Sequence, residues 1–233
     1  MNRSEWPFRA LLGATAGLLV YLLSIVFLQV PEAQPAAGGL AQKIFYFHVP
    51  AAYAMYLSGA VCLAASAAFL LRPTDVADAW ARAGAEAAVL FGSMVLASGP
   101  LWAKKAWGVY WTWEPRLTTL LLSVLIYAAL VVIRAFVGAG HAERKFAAAF
   151  GVLGTVNLPF IHVAVRQWGG NHPTVLGRGG GGISADMRHA LIMGFLTMTL
   201  LAAIVLWMRA RLALAASRCR HLEELAANAG LEE

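Results

Sequence analysis

Residues 117–137 read Leu117-Thr-Thr-Leu-Leu-Leu-Ser-Val-Leu-Ile-Tyr-Ala-Ala-Leu-Val-Val-Ile-Arg-Ala-Phe-Val137, a predominantly apolar run interrupted by one charge, Arg134. An α-helix needs about 20 such residues to cross a hydrocarbon core of roughly 30 Å. Just upstream stands a different composition, Trp107-Gly-Val-Tyr-Trp-Thr-Trp-Glu-Pro-Arg116, and before that a second apolar run over about 85–103. Two apolar runs joined by a short segment packed with indoles, one acid and one arginine define a membrane hairpin with an unusual tip. An aromatic belt anchors helix ends at lipid headgroups with one or two such residues. Three tryptophans and a tyrosine beside Glu114 and Arg116 exceed that need and point to a platform for a flat, partly charged ligand. If 107–113 is extended, Trp107, Val109, Trp111 and Trp113 share a face. If it is helical, Trp107 and Trp111 stack at i and i+4 and Trp113 leaves the stripe. In either case Gly108 leaves room for close approach.

Outward from this hairpin, the 233 residues are 60% hydrophobic and 13% charged. Soluble domains carry about a quarter charged residues, so the chain is expected to be an all-α integral membrane protein. Six apolar segments, about 10–30, 44–71, 85–103, 117–137, 146–165 and 187–208, predict six transmembrane helices within a single domain covering 1–233. The first is long enough to span and lacks a small-residue cleavage site, so it reads as a helix and not as a signal peptide. Pro50 is expected in the first turn of the second span, with Phe45-Tyr46-Phe47-His48 at the interface before it. Cys62 and Cys219 form no CxxC pair, which excludes thiol redox chemistry and a cysteine metal site. The net charge of +6 is dispersed over loops and tail. It is a topology signal among membrane lipids and not a nucleic-acid footprint.

With the N-terminus inside, eleven of the 18 Lys and Arg residues fall on the inner side, so both termini are expected to be cytoplasmic. Lys104, Lys105 and Arg116 oppose that rule beside the aromatic tip and look retained for an anionic ligand. By the same parity the segment before span two, the tryptophan loop and the 166–186 connection all face outward. His48 and His172 therefore join the tryptophans on one surface. His141 and His221 read as solvated, His162 as a hydrogen-bonded residue within span five, and His189 as an interfacial residue at the start of span six.

Two imidazoles on one surface suit a metal. Zinc asks for three or four close ligands, and no HxH, HExxH or cysteine cluster supplies them. Haem asks for one or two axial ligands, a wide aromatic face and cations for its propionates. His48 and His172, the indoles of Trp107, Trp111 and Trp113, and Lys104, Lys105, Arg116 or Arg166 meet that demand. A quinone is the rival ligand. No GxxxxGK[ST] loop is present, so ATP hydrolysis would belong to a partner.

The stretch Trp107-Gly-Val-Tyr-Trp-Thr-Trp-Glu-Pro-Arg-Leu-Thr118 resembles the tryptophan-rich (WWD) signature of the haem-handling membrane proteins of cytochrome c maturation. Within them the chain is similar to the haem exporter protein C family, CcmC. Phe47-His48-Val-Pro-Ala-Ala52, Val156-Asn-Leu-Pro159 and Trp168 four residues before His172 select that family, and the resemblance spans nearly the whole chain. It implies a multi-pass protein of the bacterial inner membrane that binds haem b transiently at the periplasmic face. His48 and His172 would be the axial iron ligands, and the loop (Trp107, Gly108, Trp111, Trp113, Glu114, Arg116) with Trp168 would hold the macrocycle. It further implies delivery of haem to the haem chaperone CcmE, in a complex with CcmD and the ATP-binding-cassette subunits CcmA and CcmB, with no catalytic residue of its own. Glu114 departs from the family's Asp, and Pro115 from its small residue. Pro115 suits a first helical turn and holds Glu114 outside the helix. The alternatives are a cytochrome c haem synthetase of the same superfamily, or a quinone-binding or transporter subunit.

Overall fold

The computed structural model describes residues 6–35, 38–136, 140–170 and 183–230, without the side chains at 162 and 164–166. Its elements are α1 (Trp6–Ser24), which continues as a π-helical turn (Ile25–Gln29), a 3-10 turn (Gly39–Ile44), α2 (Phe45–Leu71), α3 (Asp75–Trp107), α4 (Pro115–Phe136), α5 (His141–Trp168) and α6 (Ala185–Asn228). Among the described residues there is no strand. α1, α2, α3, α4 and α6 are long and apolar enough to cross a membrane; α5 runs for 28 residues. Leucines and valines such as Leu12, Val20, Leu122, Leu125 and Leu153 stay exposed, the signature of helices surrounded by lipid.

The bundle closes on small residues. α2 and α3 pack antiparallel along most of their length, with Ala81, Ala83, Ala85, Ala87 and Ala88 of α3 and Ala51, Ala54 and Cys62 of α2 buried. At Gly84 a Cβ would sit 2.5 Å from the Cys62 backbone nitrogen, so only glycine permits that crossing. Without a hydrophobic force between helices in lipid, such close approach is what drives association. α4, α5 and α6 complete this core, while α1 packs against α6 and the start of α2 in a smaller cluster around Leu22, Val26 and Tyr46. Hydrogen bonds cross-link the helices: Tyr127 Oη to Thr155 Oγ1 at 2.9 Å, and Asn157 Nδ2 donating to Ser123 Oγ at 2.6 Å and to the Thr119 carbonyl at 3.0 Å.

The two ends differ. At one, which we call the ion-pair end, Arg134 of α4 donates to Asp78 of α3 at 2.7 Å, and Arg144 of α5 reaches Asp75 at 2.8 Å and Asp78 at 3.2 Å. Further along α3, Glu86 joins Arg82 and Arg209, fixing α3 to α6. The other, the tryptophan end, gathers the start of α2, the α3–α4 connection, the end of α5 and the start of α6. Three helix-interior prolines, Pro50, Pro100 and Pro159, all lie in the half nearer this end.

Two expectations need correction. Pro50 lies in the second turn of α2, not the first, because the helix already begins at Phe45. Phe45, Tyr46, Phe47 and His48 are therefore helical, and Tyr46 is buried with its carbonyl against Gly194 of α6. The missing Pro50 N–H leaves that carbonyl without its intrahelical donor. The helices also overrun the apolar segments: α3 begins at Asp75 instead of 85, and α6 ends at Asn228 instead of 208. Thr74 caps α3 by accepting from the Ala77 N–H at 3.2 Å, and Asp75 and Asp78 in the first turn complement the helix dipole.

Candidate haem site at the tryptophan end

The α3–α4 connection resolves the two alternatives for the tryptophan stretch by dividing it. Trp107 is the last residue of α3, and Gly108 ends the helix in the left-handed conformation (φ +79°). A Cβ there would meet nothing within 4 Å, so this glycine serves the turn and not a close approach. Residues 111–114 carry no regular structure, and α4 starts at Pro115 with the Glu114 carbonyl accepting from the Thr118 N–H at 3.0 Å. Pro115 is thus the first helical residue, where its missing N–H is harmless.

The three loop indoles do not share a plane. Trp107 packs edge-on against Trp102 (centroids 5.2 Å, 79°), and Trp111 edge-on against Trp113 (5.9 Å, 77°). The second pair follows from alternation in extended chain, where i and i+2 share a face. Trp113 is 77% exposed, while Trp111 is half-buried. The Trp111 Nε1 and Thr112 Oγ1 atoms are buried with no hydrogen-bond partner among the described residues. Buried orphan donors are rare, and an unpaired indole N–H is a group that a carboxylate-bearing ligand could satisfy.

His48 lies in the first turn of α2, half-buried. Its Nδ1 is 2.9 Å from Ser98 Oγ of α3. Arg116, the second residue of α4, lies within electrostatic reach of His48, Tyr56 and Glu114. A cation at a helix N-terminus opposes the dipole, so its place rests on negative partners, of which Glu114 is one. Gly170, just past α5, lies against the Glu114 carboxylate, where a Cβ would come within 3.0 Å of Oε2. Trp168, the last residue of α5, is exposed. His172 and the 177–182 glycines lie outside the described residues, as does the Arg166 side chain. The structure therefore connects His48, Arg116, Glu114 and the end of α5, and leaves Trp107, Trp113 and Trp168 on the margin.

Two lysines on this side have local duties. Lys104 donates to the Gly108 carbonyl at 2.9 Å and lies 5.2 Å from the Tyr110 ring centroid, closing the C-terminus of α3. Lys43 donates to the Phe27 carbonyl of the π-turn at 3.2 Å. Of the other histidines, His189 is hydrogen-bonded to Tyr21 Oη at 2.9 Å, and His141 opens α5 near Phe69. Sequence reasoning missed Ser98 and Gly99. The signal was Ser98-Gly99-Pro100 inside an apolar run, where Gly and Pro together mark a local demand on the backbone.

Fold and site define a polytopic helical membrane protein with a histidine and an aromatic loop at one end. The description heme exporter protein C (CcmC) matches residues 2–224, and the chain belongs to that family. Heme exporter protein C of Bradyrhizobium diazoefficiens is 29% identical over 201 residues, 82% of this chain and 76% of that protein. Heme exporter protein C of Escherichia coli is 30% identical over 175 residues, 74% and 70% of the two chains. A putative cytochrome c biosynthesis ccmC-like mitochondrial protein of Marchantia polymorpha is 28% identical over 163 residues, 70% and 69%.

Proposed function

We propose that this chain binds haem at the outer face of the bacterial inner membrane and passes it to the haem chaperone CcmE during maturation of c-type cytochromes. Family membership supports the coarser role, haem handling for cytochrome c maturation by a multi-pass membrane protein and not by an enzyme. The observation that carries the finer reading is the half-buried His48 imidazole at the same end as the tryptophan loop and Arg116. α5 leads from there, past Gly170 at Glu114, into the segment that contains His172. His48 and His172 are the axial pair, giving bis-His ligation of haem b. Trp111 lies against the macrocycle, Trp107, Trp113 and Trp168 border it, and Gly108 makes the turn that sets them apart; the Arg116 guanidinium and the Trp111 N–H face the haem carboxylates. Glu114 positions the haem edge or the chaperone. Partners are CcmE, CcmD and the CcmA–CcmB transporter pair, and both termini are cytoplasmic.

The test is the absorption spectrum of the purified protein and the haem it transfers to CcmE. His48→Ala and His172→Ala should each lower retention and transfer, with partial recovery on adding imidazole. A double variant with an unchanged haem spectrum would refute the axial assignment.

A further inference from the structure

We propose that Ser98 is a positioning residue for His48: it fixes the proton on Nδ1 and so leaves Nε2 as the coordinating atom. This rests on His48 being an iron ligand. Ser98 Oγ is 2.7 Å from the Met94 carbonyl and 3.4 Å from the Val95 carbonyl. The Met94 carbonyl can only accept and makes the shortest of these contacts, so the single hydroxyl proton goes to it. The oxygen facing His48 at 2.9 Å must then be an acceptor, and Nδ1 must be the donor. A neutral imidazole carries one N–H, so Nε2 keeps its lone pair. Among the described residues Ser98 is the only hydrogen-bond partner of His48, which leaves that lone pair uncommitted.

Gly99 completes the seat. A Cβ at this position would stand 3.2 Å from His48 Cε1 and 3.9 Å from Nδ1, so the ring would have to shift by a few tenths of an ångström and its bond to the Ser98 hydroxyl would be disturbed. Ser98 and Gly99 thus act as a pair on α3, one fixing the tautomer and the other admitting the ring. A ligating histidine that donates its other N–H is held in orientation and made a stronger base, and loss of such a partner costs about 10- to 100-fold in metal affinity.

The experiment compares haem-loaded wild type, Ser98→Ala, Ser98→Thr, Gly99→Ala and His48→Ala, reading the haem spectrum, the haem dissociation rate and the midpoint potential. Ser98→Ala should keep the low-spin spectrum, release haem about tenfold faster or more, and move the potential positive, because a weaker imidazole donor stabilises ferric iron less. Ser98→Thr keeps a hydroxyl that bonds back to the helix and should restore both values. Gly99→Ala should speed haem loss like Ser98→Ala. A serine that merely satisfied its own helix would leave the potential unmoved. If His48→Ala abolishes the spectrum while Ser98→Ala matches wild type in potential and dissociation rate, the role of Ser98 is overturned and the ligand reading stands. If His48→Ala leaves the spectrum unchanged, both fall.

Discussion

Replacing Gly84 by alanine drives a wedge between α2 and α3 at a point where the structure has no slack. The added Cβ would lie 2.5 Å from the Cys62 nitrogen, 2.8 Å from its Cα and 2.9 Å from its Cβ. Ordinary contacts begin near 3.4 Å, and backbone cannot rotate aside as a side chain can, so the helices must part by roughly 0.5–1 Å. Overpacking of this kind costs about 1–3 kcal/mol, a drop of roughly 5- to 160-fold in the folded-to-unfolded ratio. The effect should travel. Cys62–Gly84 and His48–Ser98 lie on the same antiparallel interface, about 21 Å apart at 1.5 Å per residue, so the hydrogen bond at 2.9 Å should weaken and haem retention fall. The assay is unfolding in mixed micelles of increasing denaturing detergent, followed by circular dichroism. Gly13→Ala is the control, because a Cβ there meets nothing within 4 Å and alanine gains up to about 1 kcal/mol in a helix interior. If Gly84→Ala resists detergent as well as Gly13→Ala, the close α2–α3 crossing is wrong.

Other expectations follow from single contacts. With the exposed Cys219 replaced by serine, Val109→Cys should react with an impermeant thiol reagent added outside and His141→Cys should not; the reverse pattern would invert the topology. Trp111→Ala removes one half of an edge-to-face pair worth about 0.5–1.5 kcal/mol beyond area burial. It should loosen haem in part, and adding Trp113→Ala should loosen it further. If neither variant alters bound or transferred haem, the loop is an interfacial anchor. Glu114→Gln should lower transfer to CcmE at constant protein level and unchanged haem spectrum, and normal transfer would remove Glu114 from the site. Asp78→Asn strands Arg134, whose side chain is 6% exposed, at a cost of about 1–3 kcal/mol in detergent unfolding. Pairing it with Arg134→Met should recover most of that loss; two independent, additive losses would show the pair is not coupled.

Five of the six expected spans and the placing of the tryptophan loop between two of them were legible because hydropathy records membrane thickness directly. α5 forms a long helix without standing among those five. Helix ends were not legible, because a helix continues into water wherever a cap and dipole-compatible charges allow. Thr74, Asp75 and Asp78 do so for α3, and the Arg-rich 209–220 stretch does not stop α6. In the loop, composition announced the aromatics, but one φ angle at Gly108 decided that Trp107 would leave Trp111 and Trp113. Ser98 stayed hidden for another reason. Its meaning lies in a contact across 50 residues of chain, and periodicity reports only what a residue's own helix does.

The distribution of prolines and ion pairs makes the bundle mechanically lopsided. Pro50, Pro100 and Pro159 each remove a rung from the hydrogen-bond ladder of their helix in the half nearer the tryptophans, and proline sites are where helices bend. Asp75, Asp78, Arg134 and Arg144 lace α3, α4 and α5 together at the opposite end. α6 carries no proline over its 44 residues, about 66 Å of unbroken rod. The assembly has the build of a clothes-peg: a riveted base, a stiff spine, and three jaws jointed near their tips. Bending at those prolines would fall on a few already weakened turns, away from the ion pairs of α3, α4 and α5. A flat plate held at the tryptophan end would thus load the proline turns before it loads the ion pairs on the far side of the membrane.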